Sequence, residues 1–456
     1  MDNVLFKQKN GFERLSEADR TEMEAYCRRY MDFMDRAKTE RESVTETIRI
    51  AEKHGFREFH AGMTLQPGDR IYANNRGKSI LFAVIGRQPL DKGCHITAAH
   101  ADSPRLDVKP NPLCEDSELA LMKTHYYGGI KKYQWTMTPL ALHGVMTTVD
   151  GTVHTVCIGE KDDDPVFYVT DLLIHLSGEQ MKKTLAEGVT GENLKVLIGS
   201  EPVEGEGADR VKTRVMRLLN EAYGVTEEDF LSAELTFVPA GKSREVGLDR
   251  SMMAAYGHDD RVCAYAEFEP LLDLETPEYT AVCVLADKEE IGSVGVSGMQ
   301  SQYFEYFMED LCDIQGVKLR HCLNSATCLS ADVSNAYDPL YAEVSDKQNN
   351  SRLNYGIALC KYTGARGKSG CSDASSELFT SIRRIFAENG VIWQTAELGK
   401  VDAGGGGTVA AYMANRNIDT LDAGVPVLSM HAPVEIVSKL DAYMTCKAMQ
   451  AFYLAK

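Results

Sequence analysis

An apolar run over residues 280–285 ends in Ala286-Asp287-Lys288-Glu289-Glu290-Ile291-Gly292-Ser293. The run reads as a buried strand, and it delivers two adjacent carboxylates where a loop begins. Successive side chains on extended backbone point opposite ways. Glu289 and Glu290 are therefore expected to do different work, one binding a metal and the other facing a water or a substrate proton. Metal-assisted hydrolysis needs that division. Four further groups stand at element ends: His100 after residues 95–99, Asp332 after 322–331, His431 after 427–430, and Asp259 just before the helical segment 261–272. In open α/β sheets, sites form outside the carboxyl ends of strands. Three carboxylates with two imidazoles make a donor set suited to two zinc-like ions. Within His100-Ala101-Asp102-Ser103-Pro104, Asp102 can accept the second imidazole proton and so fix the tautomer. Each group also has a plainer explanation. A lone histidine after a strand is usually structural, Asp332 could cap a helix, Asp102 could serve a turn before Pro104, and paired glutamates are often solvated. It is their conjunction that favours a site.

The elements that would position these groups alternate. From Asp249 onward a helix near Tyr265 is followed by a strand at 280, a helix over 299–313 and a strand over 322–330. A helix over 375–389, a strand over 391–396, a helix over 409–416, a strand over 425–429 and a final helix over 438–454 complete the series. Such alternation predicts a mixed, mostly parallel α/β sheet with helices on both faces. Upstream, Ser16 and Asp19 make a capping box for a first helix. A second helix from about Glu40 ends at Gly55, and strands are expected over 79–85 and 95–99. The middle of the chain departs from this rhythm. Pro110 and Pro112 mark a change, Asp150-Gly151 between residues 145–149 and 152–158 signals a hairpin, and residues 201–209 read as a flexible Glu/Gly loop. A helix over 210–223 and a strand over 234–239 follow. A β-rich inserted domain is therefore placed at 111–244, within a catalytic domain formed by 1–110 and 245–456.

Composition narrows the function. With 67 acidic against 49 basic residues, the 456-residue chain carries a formal charge of −18, which argues against nucleic acid or an anionic membrane as partner. There is no run of eighteen apolar residues to cross a bilayer, and residues 1–20 are too polar for a secretory leader. The twelve cysteines form no C-x-x-C pair, and the loose group Cys312, His321, Cys322 and Cys328 has the wrong spacing for structural zinc. Reduced core cysteines in a cytoplasmic protein are expected.

Five motifs in order resemble the aspartyl-aminopeptidase family, which includes yeast vacuolar aminopeptidase I and bacterial relatives. They are His100-Ala101-Asp102-Ser103-Pro104, Asp259-Asp260, Glu289-Glu290-Ile291-Gly292-Ser293, Ser330-Ala331-Asp332 and Leu428-Ser429-Met430-His431. The Gly404-to-Thr408 run, Asp422-Ala423-Gly424-Val425-Pro426 and Asp171-Leu172-Leu173-Ile174-His175-Leu176 fit as well. The resemblance implies a zinc-exopeptidase-like fold with an inserted dimerisation or lid domain. It also implies a metalloaminopeptidase that removes the N-terminal residue of peptides. Two Zn2+ per subunit would be held by His100 and Asp332 at one position and Glu290 and His431 at the other, bridged by Asp259, with Co2+ or Mn2+ as alternatives. Glu289 would be the general base acting on a water activated by both metals. Asp102 would orient His100, and His175 would stabilise the transition state. Self-association into dimers and a dodecamer is implied too.

The chain departs from the family in places. Asp259-Asp260 stands where many members have Asp-Asn, and Ala432-Pro433-Val434-Glu435 replaces the eukaryotic Ser-x-Arg-Glu. The segment 361–374, with Lys361, Arg366 and Lys368 as its basic residues, is unlike the eukaryotic substrate-recognition segment, so acidic or neutral first residues both remain open. A two-zinc amidohydrolase of another class, a carboxypeptidase or deacylase, would use the same metal chemistry with a cationic anchor. An ATPase is remote: Gly364-Ala365-Arg366-Gly367-Lys368-Ser369 resembles a truncated phosphate loop, but Tyr362 stands where the first glycine belongs. A non-catalytic metal-binding scaffold is disfavoured by the presence of Glu289.

Overall fold

The computed structural model describes residues 4–456, in two compact units. The first contains the chain up to Asp102, Ser243–Met430 and Glu435–Lys456; the second contains Ser103–Lys242 and His431–Val434.

The first unit is built on a nine-stranded sheet. Its order is Arg57–Glu58, Arg70–Asn75, Ser79–Val84, Thr280–Ala286, Cys94–His100, Thr327–Ser330, Asp419–Gly424, Ile357–Cys360 and Trp393–Thr395. The four strands from Thr280–Ala286 to Asp419–Gly424 run parallel, so their carboxyl ends meet along one edge. Antiparallel pairing enters on either side, at Ser79–Val84 and at Ile357–Cys360. Every residue of Thr280–Ala286 is buried, as expected of a parallel strand covered on both faces. Ala281, Cys283 and Leu285 enter one core, with Phe268 and Leu440 from the helices His258–Leu272 and Lys439–Tyr453. Val282, Val284 and Ala286 enter the other, with Phe304 and Phe307 from Tyr303–Gln315. The fully buried Phe268 ring lies 4.9 Å from Phe82; truncating such a ring to alanine costs about 3–5 kcal/mol. A second, five-stranded sheet in this unit runs Arg244–Val246, Met252–Ala255, Glu435–Ser438, Pro426–Leu428 and Ser334–Asn335.

The second unit carries a wholly antiparallel six-stranded sheet. Its order is Val153–Ile158, Leu140–Thr147, Glu234–Pro239, Arg105–Asp116, Leu119–Tyr127 and Lys195–Gly199. Trp135, Phe237, Leu140 and Val196 are buried within it. At the hairpin, Gly151 takes φ +87°, and Asp150 accepts hydrogen bonds from the Thr152 amide at 3.0 Å and the Thr148 hydroxyl at 2.6 Å. This is the local chemistry a tight turn requires.

Three expectations are corrected. The unit begins at Ser103 rather than 111, because Pro110 and Pro112 do not end a domain: they fall at a register shift between Val108 and Leu113 inside Arg105–Asp116. Prolines are tolerated at such irregularities. Residues 322–330 are not one strand. Leu319, Cys322 and Leu323 share a helical spacing and form the helix Leu319–Ser325, leaving Thr327–Ser330 as the strand. The central strand near the C-terminus is Asp419–Gly424, whose two aspartates and glycine lower strand propensity. Pro426–Leu428, part of the expected 425–429 strand, belongs to the five-stranded sheet. Among the described residues no helix is long and apolar enough to cross a membrane, and all twelve cysteines are free.

Candidate metal centre

Parallel register assembles the cluster. Ala286 pairs with His100, and Ser330 pairs with Ala98. Glu289 and Glu290 therefore leave their strand beside His100, and Asp332 follows two residues beyond Ser330. Asp259 and Asp260 open the helix His258–Leu272. Ligand atoms of His100, Asp259 and Glu290 all lie within 4.8 Å of one another, and so do those of His100, Asp260 and Asp332.

His100 is 1% exposed and held from both sides. Its Nδ1 lies 3.0 Å from the Asp102 carbonyl and 3.3 Å from Asp102 Oδ1; its Nε2 lies 3.2 Å from Asp259 Oδ1 and 3.9 Å from Glu289 Oε2. Asp102, itself fully buried, does more than orient the imidazole. Its Oδ1 accepts from the Glu289 amide at 3.1 Å and its Oδ2 from the Glu290 amide at 3.2 Å. One carboxylate thus fixes the strand-end histidine and the turn Glu289–Ile291 together. The His100 amide donates to Asp260 Oδ2 at 3.3 Å, and the Asp259 amide donates to Glu435 Oε2 at 2.9 Å.

The electrostatics are those of a cation site. Burial would lower the His100 pKa, but the hydrogen bonds to Asp102 and Asp259 and the nearby Glu289 charge push it well above its ordinary value. Burial drives the Asp260 carboxyl well up, and the Asp259 charge adds to it; burial, then Asp260, does the same to Asp332. Collecting buried carboxylates is costly unless a positive charge compensates. Hard oxygen donors with an imidazole fit zinc, and cobalt or manganese as well. The residues present therefore fit the ions the sequence implies. Glu289, with 19% of its side chain exposed against 1% for His100, is the more accessible group.

The first unit alone thus brings together His100, Asp102, Asp259, Glu289, Glu290 and Asp332. His175 and His431 belong to the second unit. His175 lies in the short 3-10 turn Ile174–Leu176, exposed along with Leu172, Leu173, Ile174 and Leu176. His431 sits in a turn with φ +64°, and its Nδ1 is 2.7 Å from the Gly129 carbonyl. With that nitrogen donating, Nε2 carries the lone pair, the arrangement typical of a ligating histidine.

Sequence reasoning had not assigned a role to Asp260, whose only signal was its place beside Asp259. Nor had it assigned one to Glu435, which braces the Asp259 amide. The sequence marks Asp422 only as part of a motif. It pairs in register with Ser330, accepts from Thr408 Oγ1 at 2.6 Å, and burial, with a further push from Glu289, raises its carboxyl to about 7.

Residues 33–453 match the family model described as aminopeptidase I zinc metalloprotease (M18). A relative from Clostridium acetobutylicum, a probable M18 family aminopeptidase 1, is 50% identical over 462 aligned residues, covering 99% of both chains. The crystal structure of aminopeptidase I from that organism superposes with a TM-score of 0.94 at 49% identity, covering 99% of this chain and 100% of the other. The M18 aminopeptidase structure from Thermotoga maritima also gives 0.94, at 44% identity, over 98% and 99% of the two chains. Yeast aminopeptidase 1, at 20% identity and a TM-score of 0.77 over 94% and 97%, shares the fold. The chain belongs to the M18 family of zinc metalloproteases and is a metal-dependent aminopeptidase, a hydrolase acting on peptides.

Proposed function

We propose that the strand-end cluster holds two zinc ions per subunit and that Glu289 is the general base of peptide-bond hydrolysis. His100 and Asp332 hold one ion and Glu290 the other, with Asp259 shared. His431 is retained as a donor on its motif and on its Nδ1 bond to Gly129. The observation that carries this reading is the pair of donor triples sharing His100, with Glu289 Oε2 3.9 Å from the same imidazole. Bound zinc would supply Lewis acidity, lowering the pKa of a water and polarising the first peptide carbonyl. Glu289 takes one proton from the attacking water as the C–O bond forms. It returns that proton to the departing nitrogen as the C–N bond breaks. Asp102 keeps His100 and the Glu289 amide in register while this happens. His175 donates a hydrogen bond to the oxygen that gains charge.

Self-association is part of the proposal. The exposed Leu172, Leu173, Ile174, Leu176, Met181 and Leu185 make an apolar stretch of the kind buried in assemblies. One solved yeast relative is a dodecamer. The free cysteines support a reducing, cytoplasmic setting.

The test uses a dipeptide with a free C-terminal carboxylate and its N-acetylated form. Chelation should abolish cleavage of the free-amine substrate, re-added zinc, cobalt or manganese should restore it, and the acetylated substrate should stay intact. Full cleavage by protein shown by elemental analysis to be metal-free would defeat the metal mechanism. Preferential cleavage of the acetylated form would point to a deacylase or carboxypeptidase.

A further inference from the structure

The residue that follows Asp259-Asp260 is a buried cation. Arg261 is 0% exposed and among the largest fully enclosed side chains of the described residues. Its donated bonds go to backbone carbonyls: Nε to Gly257 at 3.1 Å, Nη2 to Tyr256 at 2.8 Å, and Nη1 to Lys38. Its Cζ also lies 5.0 Å from the centre of the Tyr256 ring. Enclosing a guanidinium on carbonyls alone is costly, so a cation at this position calls for a reason.

The three carbonyls supply that reason. Gly257 takes φ +72°, and Asp259 and Asp260 depart from helical angles inside His258–Leu272, which is regular from Arg261 on. The guanidinium therefore folds back over the irregular turn that delivers two carboxylates of the cluster. Its third bond ties that turn to Lys38, between the helices Glu17–Met34 and Glu40–Lys53. The neighbouring residues are held from other directions. His258 Nε2 is 3.2 Å from the Met253 carbonyl and so carries the proton, which leaves Nδ1 to accept from the Tyr30 hydroxyl at 2.6 Å. The Asp259 amide donates to Glu435, and Asp260 accepts from the His100 amide. A planar fork with fixed donors can serve carbonyls on two segments at once, whereas a lysine ammonium presents a single point.

We propose that Arg261 is a positioning residue for the metal centre. It locks the turn Tyr256–Asp260 against the loop after the first helix, so that Asp259 and Asp260 face the cluster before an ion arrives. The inference rests on the reading given above, in which Asp259 is a shared ligand. Fully enclosed, Arg261 is out of reach of substrate and of the attacking water. Its loss therefore weakens zinc binding and leaves the chemistry at Glu289 to proceed once zinc is supplied.

The experiment compares zinc binding by the full-length wild type, Arg261→Lys and Asp259→Asn over a series of buffered free-zinc concentrations, read by elemental analysis and by the thermal midpoint. Arg261→Lys keeps the charge but loses the fork. It should bind zinc about tenfold or more weakly, while kcat at saturating zinc stays within about threefold of wild type. A merely structural arginine would lower the midpoints of the metal-free and zinc-loaded protein equally; that result, with unchanged zinc affinity, overturns the proposal. Asp259→Asn binding zinc as the wild type does overturns the shared-ligand reading, and the proposal with it. Loss of zinc from Asp259→Asn beside an unaffected Arg261→Lys overturns only the role of Arg261. If Arg261→Lys does not fold, hydrogen exchange on the wild type decides. A preset turn takes up deuterium over 256–262 at rates within about twofold of each other with zinc bound and removed. A larger rise on removing zinc means that the metal, and not the arginine, organises the turn.

Discussion

His100 and His175 are both nominated by the family resemblance, yet the two units treat them in opposite ways. His100 is enclosed at the end of a central strand, with Asp102 at one nitrogen and Asp259 at the other. His175 is displayed on a one-turn helix between Ile174 and Leu176, which are 70% and 71% exposed, and among the described residues nothing hydrogen-bonds its ring. The first unit thus prepares its imidazole in advance, by register and burial. The second unit exposes its imidazole in apolar surroundings that a single chain has no reason to leave in water. A residue whose role is to hold a cation must be preset, whereas one whose role is to meet a transient charge can be completed by assembly.

The sharpest challenge to this comparison lies inside the prepared cluster. Glu289→Gln keeps the shape and the amide that Asp102 holds, but removes the proton acceptor. On the proposed mechanism it should lower kcat by about 10³-fold, roughly 4 kcal/mol of barrier, while elemental analysis finds zinc unchanged. Loss of zinc with the activity would make Glu289 a ligand rather than a base.

The displayed histidine makes the opposite prediction about structure. His175→Ala should reduce kcat by about 10²-fold with zinc content and thermal midpoint unaltered, since the ring supports nothing in its own unit. A fall in the midpoint would show that His175 is structural, and the contrast between the two units would disappear.

Much of this was legible in the chain. Strand 280–286 is apolar on both faces after Thr280, as a covered parallel strand is, so the residues following it were sound candidates. The strand Asp419–Gly424 was hidden for a related reason. Asp422 and Gly424 spoil its propensity, and both stand there because of their neighbours, one beside Ser330 and the other against the Asp332 carbonyl. Local preference and local role conflict at such positions. The contribution of Asp260 could not be read from a pair of identical letters, because it depends on which oxygen folding turns toward His100. Nor could the boundary at Ser103, since a proline in a bulge and a proline in a linker look alike in sequence.

The smallest effect separates two enclosed histidines on one strand. His95 lies five residues before His100 and faces aromatic rings rather than carboxylates, with Tyr279 at 5.2 Å and Phe452 at 4.7 Å. Burial depresses its pKa from 6.5 to about 4. Between those values the unfolded chain binds a proton that the folded chain refuses. Stability contributed by the neutral ring is therefore present above pH 6.5 and lost as pH falls toward 4, with a slope of at most about 1.4 kcal/mol per pH unit. His95→Phe retains the ring packing and removes the titration, so its stability should fall less steeply over that window. Denaturant midpoints at pH 7.5, 6 and 5 measure this directly. Parallel curves for the two proteins would mean that His95 is as open to protonation in the folded chain as in the unfolded one, and that enclosure on this strand separates imidazoles less than His100 and His175 imply.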